Sequence, residues 1–192
     1  WKIAWCSAGL NEESNTYMTN IMEGLAEKYG FELRTFDAQF DPQKQTSDVN
    51  SAITQKFDAV IVHPIDPNSQ NAVMQKAKDA GLFVIVAQCE VDDPDCYDMY
   101  VGPNDTEGGQ MAASLLLSQL PEGGKIVCVE GNPGSTPSIN RAKGFMGVMQ
   151  QYPEYEILEA QGAVDWAAGE AMNIMESYLS KYPEIDGVFC QW

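Results

Sequence analysis

Cations and histidine are the scarce residues in this 192-residue sequence. Lys and Arg number 11 against 28 Asp and Glu, which leaves a net charge of -17. The few cations are scattered along the chain. Gripping nucleic acid requires grouped cations to neutralise phosphates, and an anionic membrane surface asks for the same. Both partners are disfavoured on charge, and the acidity points to a soluble monomer. His63 is the only histidine. No G-x-S-x-G nucleophile elbow, no P-loop and no G-x-G-x-x-G fingerprint occurs, so the common hydrolase, nucleotide and dinucleotide readings lack their motifs. No Cys-x-x-Cys pair or Cys/His cluster supports zinc. The acidic stretch "EVDDPDCYD" lacks the alternating spacing that lets carboxylates converge on calcium, and reads as a solvated loop. No enzymatic chemistry, cofactor or metal is expected. No apolar run reaches the ~18 residues that span a bilayer. Lys2 to Ser7 reads as a strand, not as a targeting segment, so localisation is not read from that stretch.

Apolar residues make up 44% of the chain, enough for a packed core. Of the five cysteines, Cys6, Cys128 and Cys190 sit in apolar strand patterns and read as buried small hydrophobes. Cys89 and Cys96 lie together in a polar loop, where spacing alone leaves both free thiols and a short disulfide open.

Strands are predicted at 2–7, 31–37, 58–62, 83–87, 98–102, 125–130, 155–160 and 186–191. Several, such as "DAVIV", "LFVIV" and "KIVCV", are continuous apolar runs, the mark of parallel strands covered on both faces. The helices between them carry start and stop signals. Asp41-Pro42, Asp66-Pro67 and Thr136-Pro137 each set a capping oxygen before a first-turn proline, and Asp165 is a further candidate cap. Gly30 and Gly81 stand where helices should end. Thr106 opens a helix that Pro121 closes. Strand–helix alternation at this spacing predicts an α/β fold of doubly wound parallel sheets. The Gly/Pro/Asn/Asp-rich segment "DMYVGPNDTEGG" breaks the rhythm, dividing the chain into lobes at 1–102 and 103–192.

Ligands of such sheets bind at the carboxyl ends of the strands. That edge collects "LNEESNTY", "HPIDPN" and "QCE" in the first lobe, and "GNPGSTPSINR", "VDW" and "QW" in the second. The glycines of "GNPGST" read first as a tight turn and second as an anion cradle. His63 reads as a hydrogen-bonding residue at a strand end. Arg141, Trp166 and Trp192 together suit binding, since indoles stack on the C–H faces of sugars and Arg offers a fork of donors.

Over essentially its whole length the chain resembles the ribose-type periplasmic sugar-binding proteins, a fold shared with lactose-repressor-like effector domains. The resemblance is carried by "FDAQFDPQKQTSDVNSAI", "FDAVIVHPIDPNSQNAVMQKAKDAG", "VGPNDTEGG", "VEGNPGSTPSINRAKGF" and "YPEIDGVFCQW". It implies two lobes of the type 1 periplasmic binding protein fold, closing on a small polar ligand. It also implies that about 100 further residues complete both lobes. Arg141 matches the family's ligand-binding arginine and Trp166 the aromatic that sandwiches the sugar. Trp192 falls where many members carry a ligand-binding Asn. Glu12, Ser14 and Asn15 stand where ribose binders have an Asn and two Phe. His63 replaces a frequent Asn, and Gln88-Cys89 a common Asp-Arg pair. The architecture is kept and the pocket rewritten, so the expected ligand is a sugar or polyol, not necessarily ribose, with Arg141 and the Trp pair leaving an acidic or aromatic compound as the alternative. The implied role is the extracytoplasmic substrate-binding component of an ABC importer, periplasmic or tethered outside the cell by a lipid, docking on a permease. The alternative is the ligand-sensing domain of a receptor or transcriptional regulator.

Overall fold

The computed structural model describes all 192 residues. The chain forms two compact units, Trp1–Gly102 and Pro103–Trp192.

In the first unit, β1 (Lys2–Ser7), β2 (Glu32–Asp37), β3 (Ala59–Val62), β4 (Phe83–Ala87) and β5 (Met99–Val101) form one sheet in the order β2-β1-β3-β4-β5. Every pairing is parallel. The crossovers are α1 (Glu13–Tyr29), α2 (Pro42–Thr54) and α3 (Asn71–Asp79), with a short 3-10 turn at Pro94–Cys96 leading into β5. Coverage on both faces, expected of the apolar runs, is not met by β3 and β4, where one face is buried while Ala59, Ile61 and Ile85 on the other are half-buried and Phe83 is exposed. Val60, Val62, Val84 and Val86 are fully buried, packed with Val49 and Ala52 of α2 and Met74 and Ala77 of α3. Asp41 caps α2 as expected, accepting from the backbone N–H groups of Gln43 and Lys44. Gly30 ends α1 in the left-handed region at φ 72°.

Asp66 departs from the expectation. Its Oδ1 accepts from Asn68 N and Ser69 N at 2.9 and 2.8 Å, closing a turn, and α3 starts five residues later. The intervening chain buries Gln70, whose amide donates to Pro42 O at the start of α2. A helix begun at Pro67 would carry that residue elsewhere.

In the second unit, β6 (Gly124–Glu130) lies between β7 (Tyr155–Gly162) and β8 (Gly187–Cys190), again all parallel. Here α4 (Asp105–Gln119) and α5 (Thr136–Met149) pack on one face around Ile126, Phe145 and Phe189, the two phenyl rings stacked at 3.9 Å. On the other face α6 (Ala168–Lys181) buries Ile174 and Tyr178 against Val127 and Val129, so β6 meets the expected coverage on both faces. Two glycines let α4 and α5 approach closely. A Cβ on Gly109 would meet Arg141 O at 2.1 Å, and one on Gly144 would meet Thr106 O at 2.0 Å.

Three further expectations are corrected in this unit. Ser135, not Thr136, occupies the cap position of α5. Asp165 does not cap α6, which starts at Ala168. Instead Asp165 and Trp166 both adopt positive φ, 54° each, and the chain turns sharply there. Cys190 is exposed, not buried, because it points with Val188 to the exposed face of β8, while Phe189 between them points into the core.

Candidate functional site

In each sheet the strand order reverses at one place, and the carboxyl ends of the strands there are where ligands of such sheets bind. In the first sheet the reversal falls between β1 and β3. The chain leaving β1 enters α1 through Glu12, whose carboxylate accepts from Ser14 N and Asn15 N. Glu12 is thus the N-cap of α1, a structural task that sequence spacing did not reveal. Asn15, in the first turn, is buried and turned inward. Its amide nitrogen donates to Gly9 O at 2.8 Å, which leaves Oδ1 2.8 Å from Nδ1 of His63.

His63 follows β3 and is buried. An amide oxygen only accepts, so Nδ1 carries the imidazole proton and Nε2 presents its lone pair. Cys89, 3.2 Å away, donates its S–H to that lone pair. Burial drives the His63 pKa down to about 4, with Glu12 opposing weakly. The ring is therefore neutral at neutral pH. It lies nearly parallel to Trp5, the planes 14° apart. Gln88, just past β4, is in the left-handed region at φ 63°, and this turn swings Cys89 toward His63. The Gln88 side-chain amide donates toward Met18 Sδ, 3.4 Å away, and the Gln88 backbone carbonyl accepts from the Tyr100 hydroxyl. The structure thus gathers Glu12, Asn15 and His63 at the reversal, with Gln88 after the neighbouring strand. Cys89 and Cys96 form no disulfide: Cys89 is tied to His63 and Cys96 to Asp93 O.

In the second sheet the reversal falls between β6 and β8. Gly131 follows β6, and the Trp166 indole lies directly on it: a Cβ at residue 131 would come within 2.0 Å of the ring. This is the physical reason for glycine there, and it replaces the reading of Gly131 as a turn residue. Gly134, at φ 85°, does serve the turn. The left-handed backbone at Asp165 and Trp166 lays the indole down, and Asp165 N is held by Asn132 Oδ1 at 3.0 Å. Trp192 meets Trp166 edge to face, centroids 5.3 Å apart and planes at 88°. The Arg141 guanidinium lies 5.7 Å from the Trp166 ring centre. Arg141, Trp166 and Trp192 therefore lie together in space.

The arginine is not a free fork. Its Nε donates to Asp105 Oδ1 and its Nη1 to Gln191 O, each at 2.8 Å. Asp105 is buried at the start of α4, and the charges balance.

Asp105 and Gln191 are functional candidates that sequence reasoning missed. Gln191 is buried and ties the end of β6 to α5: its Oε1 accepts from Gly131 N, its Nε2 donates to Ser138 O, and its backbone carbonyl accepts from Arg141. Its place beside Trp192 at a strand end was a signal. Asp105 carried none, because its partner is 36 residues away.

Two parallel sheets, each with its polar and aromatic side chains gathered at the carboxyl ends, define a two-unit binding protein of the periplasmic type. The chain belongs to the periplasmic binding protein domain family, whose model matches residues 3–192. It is 31% identical to a xylitol-binding protein of Mycolicibacterium smegmatis, over 93% of this chain and 52% of that protein. It is 28% identical to a ribose import binding protein of Bacillus subtilis, over 92% of this chain and 57% of that protein. Among solved structures, a Mycobacterium smegmatis protein in complex with β-D-fucofuranose matches with a TM-score of 0.91 and 29% identity, covering 98% of this chain and 64% of the other. The chain thus spans about half the length of these two relatives.

Proposed function

We propose that the chain is the ligand-binding part of an extracytoplasmic substrate-binding protein of an ABC importer, and that its ligand is a sugar or polyol. The observation that carries this reading is the Arg141–Trp166–Trp192 constellation at the carboxyl edge of the second sheet. Trp166 offers an apolar face to ring C–H groups, and Arg141 keeps N–H donors beyond the two that Asp105 and Gln191 occupy. At the carboxyl edge of the first unit's own sheet, Gln88 offers an uncharged amide and Glu12 a carboxylate, while Asn15 and the neutral His63 spend their polar atoms on Gly9, Cys89 and one another. No nucleophile–base pair is aimed outward: the one Cys–His pair is buried, and its imidazole is a weak base. The names of the relatives, xylitol-binding and ribose import binding, support the same ligand class. Docking on a permease, a place outside the cytoplasmic membrane, a lipid tether and a monomeric state belong to this reading as proposals.

Calorimetric titration of the full-length protein with xylitol, D-ribose and myo-inositol tests it. Saturable one-to-one binding of one of them is expected. Absence of binding to these and to a wider panel of neutral sugars and polyols overturns it.

A further inference from the structure

Arg141 is the one cation of the second-unit constellation, and its charge is already matched. Asp105 Oδ1 sits 2.8 Å from Nε, and the Asp105 side chain is 4% exposed against 26% for the arginine. The carboxylate lies behind the guanidinium, held at the first residue of α4 where the helix N-terminus favours negative charge. The approach that brings it there is built into the backbone. Gly109 lies against Arg141 O and Gly144 against Thr106 O, so α4 and α5 pack without intervening side chains at that level. The second hydrogen bond, to Gln191 O, goes to a neutral carbonyl and leaves this balance unchanged. A ligand reaching Arg141 therefore meets hydrogen-bond donors without net positive charge.

We propose that Asp105 is a specificity-determining residue. By balancing Arg141 it makes the site select uncharged polyhydroxyl ligands and reject their carboxylate counterparts. A carboxylate brought to an uncompensated arginine would gain a charge-assisted pair. Brought to the Asp105–Arg141 pair, it also meets the buried aspartate, and like charges in a desolvated site repel. Neutral hydroxyls lose nothing by the pairing. The inference rests on the sugar or polyol reading above and deepens it.

The test compares matched neutral and acidic probes on the full-length protein: D-ribose against D-ribonate, and xylitol against D-xylonate. Wild type should bind the neutral member of the accepted pair about 100-fold or more tightly than the acid, an expected discrimination of two decades. Asp105→Asn keeps an oxygen acceptor for Nε and removes the charge. In that variant the ratio of the two dissociation constants should shift toward the acid by about tenfold or more. The shift should shrink as salt rises, which loss of packing alone would not produce. Wild type that binds the acid as tightly as the neutral compound overturns the inference without need of any variant. A folded Asp105→Asn protein with an unchanged ratio overturns it as well. Wild type that binds neither member of either pair, nor any other sugar or polyol, overturns the underlying reading instead, and the inference with it.

Discussion

The Trp166 indole lies on Gly131 so closely that a Cβ at that glycine would fall 2.0 Å from two ring carbons. One residue follows β6 and the other follows β7, so the contact ties two strand ends into a single surface. Gly131→Ala must therefore push the ring away. Ligand affinity in the full-length protein should fall about tenfold, on the scale of a displaced hot-spot aromatic. Tryptophan emission should shift as the ring leaves its contact with Trp192. Unchanged emission and affinity would show that the ring position is not fixed by this glycine.

Trp166→Ala removes the stacking face itself. The expected loss is on the order of 2 kcal/mol of binding, roughly 30-fold. The fold should survive, because Trp166 stands outside both apolar clusters of its unit. Calorimetry with the accepted sugar or polyol reads the affinity, and a thermal melt reads the fold.

The α4–α5 crossing gives a paired stability prediction. Gly144→Ala brings a methyl group against Thr106 O, and backbone cannot yield without the helices moving apart. It should cost about 1–3 kcal/mol, as overpacking does. Gly147→Ala, three residues on in the same helix, meets nothing within 4 Å. It should be neutral or stabilise by up to ~1 kcal/mol through helix propensity. Denaturant titration of the two variants should separate them. Equal effects would mean that the helices are not in close contact.

His63 predicts an acid limb in stability. Its folded pKa of about 4 lies below the ordinary value of 6.5 because burial disfavours the imidazolium. Between those values the unfolded chain binds the proton and the folded chain does not. Stability is therefore complete above about pH 6.5 and is lost as pH falls toward 4, by ~3 kcal/mol at most. His63→Asn should flatten that part of the profile measured by chemical denaturation. An unchanged slope would place the acid sensitivity in the carboxylates.

The thiols should react in order of exposure. Cys190 is exposed and should be alkylated first. Cys6, fully buried, has its thiol pKa raised by burial and then by Asp48, and should react only on unfolding. Burial pushes Cys128 up to about 12 and Cys96 to about 11. Peptide mapping of native protein without reductant should find no disulfide between Cys89 and Cys96. A mapped Cys89–Cys96 disulfide would contradict the hydrogen bonds that hold these thiols apart.

Much of this architecture was written in local sequence. Continuous apolar runs mark the strands, and Asp41-Pro42 and Gly30 punctuate helices, because those signals act within a few residues of one another. What failed locally was a cap that tertiary structure took over. Asp66 closes a turn that buries Gln70 against the start of α2, and Asp165 gives up capping so that Trp166 can lie on Gly131. The strand-end rule brought Asn15, His63, Arg141, Trp166 and Trp192 into view as candidates, since strand ends are legible from the runs themselves. Their chemistry was not legible. The neutral tautomer of His63 depends on an amide 48 positions away and on burial, and the balanced charge of Arg141 depends on Asp105, 36 positions away. Sequence by itself determined the elements, their order and the edge where polar groups collect. Only the tertiary structure decided which of those groups are spent on one another and which keep unused donors or an exposed face, because hydrogen-bond partners and desolvation are set by residues distant in the chain.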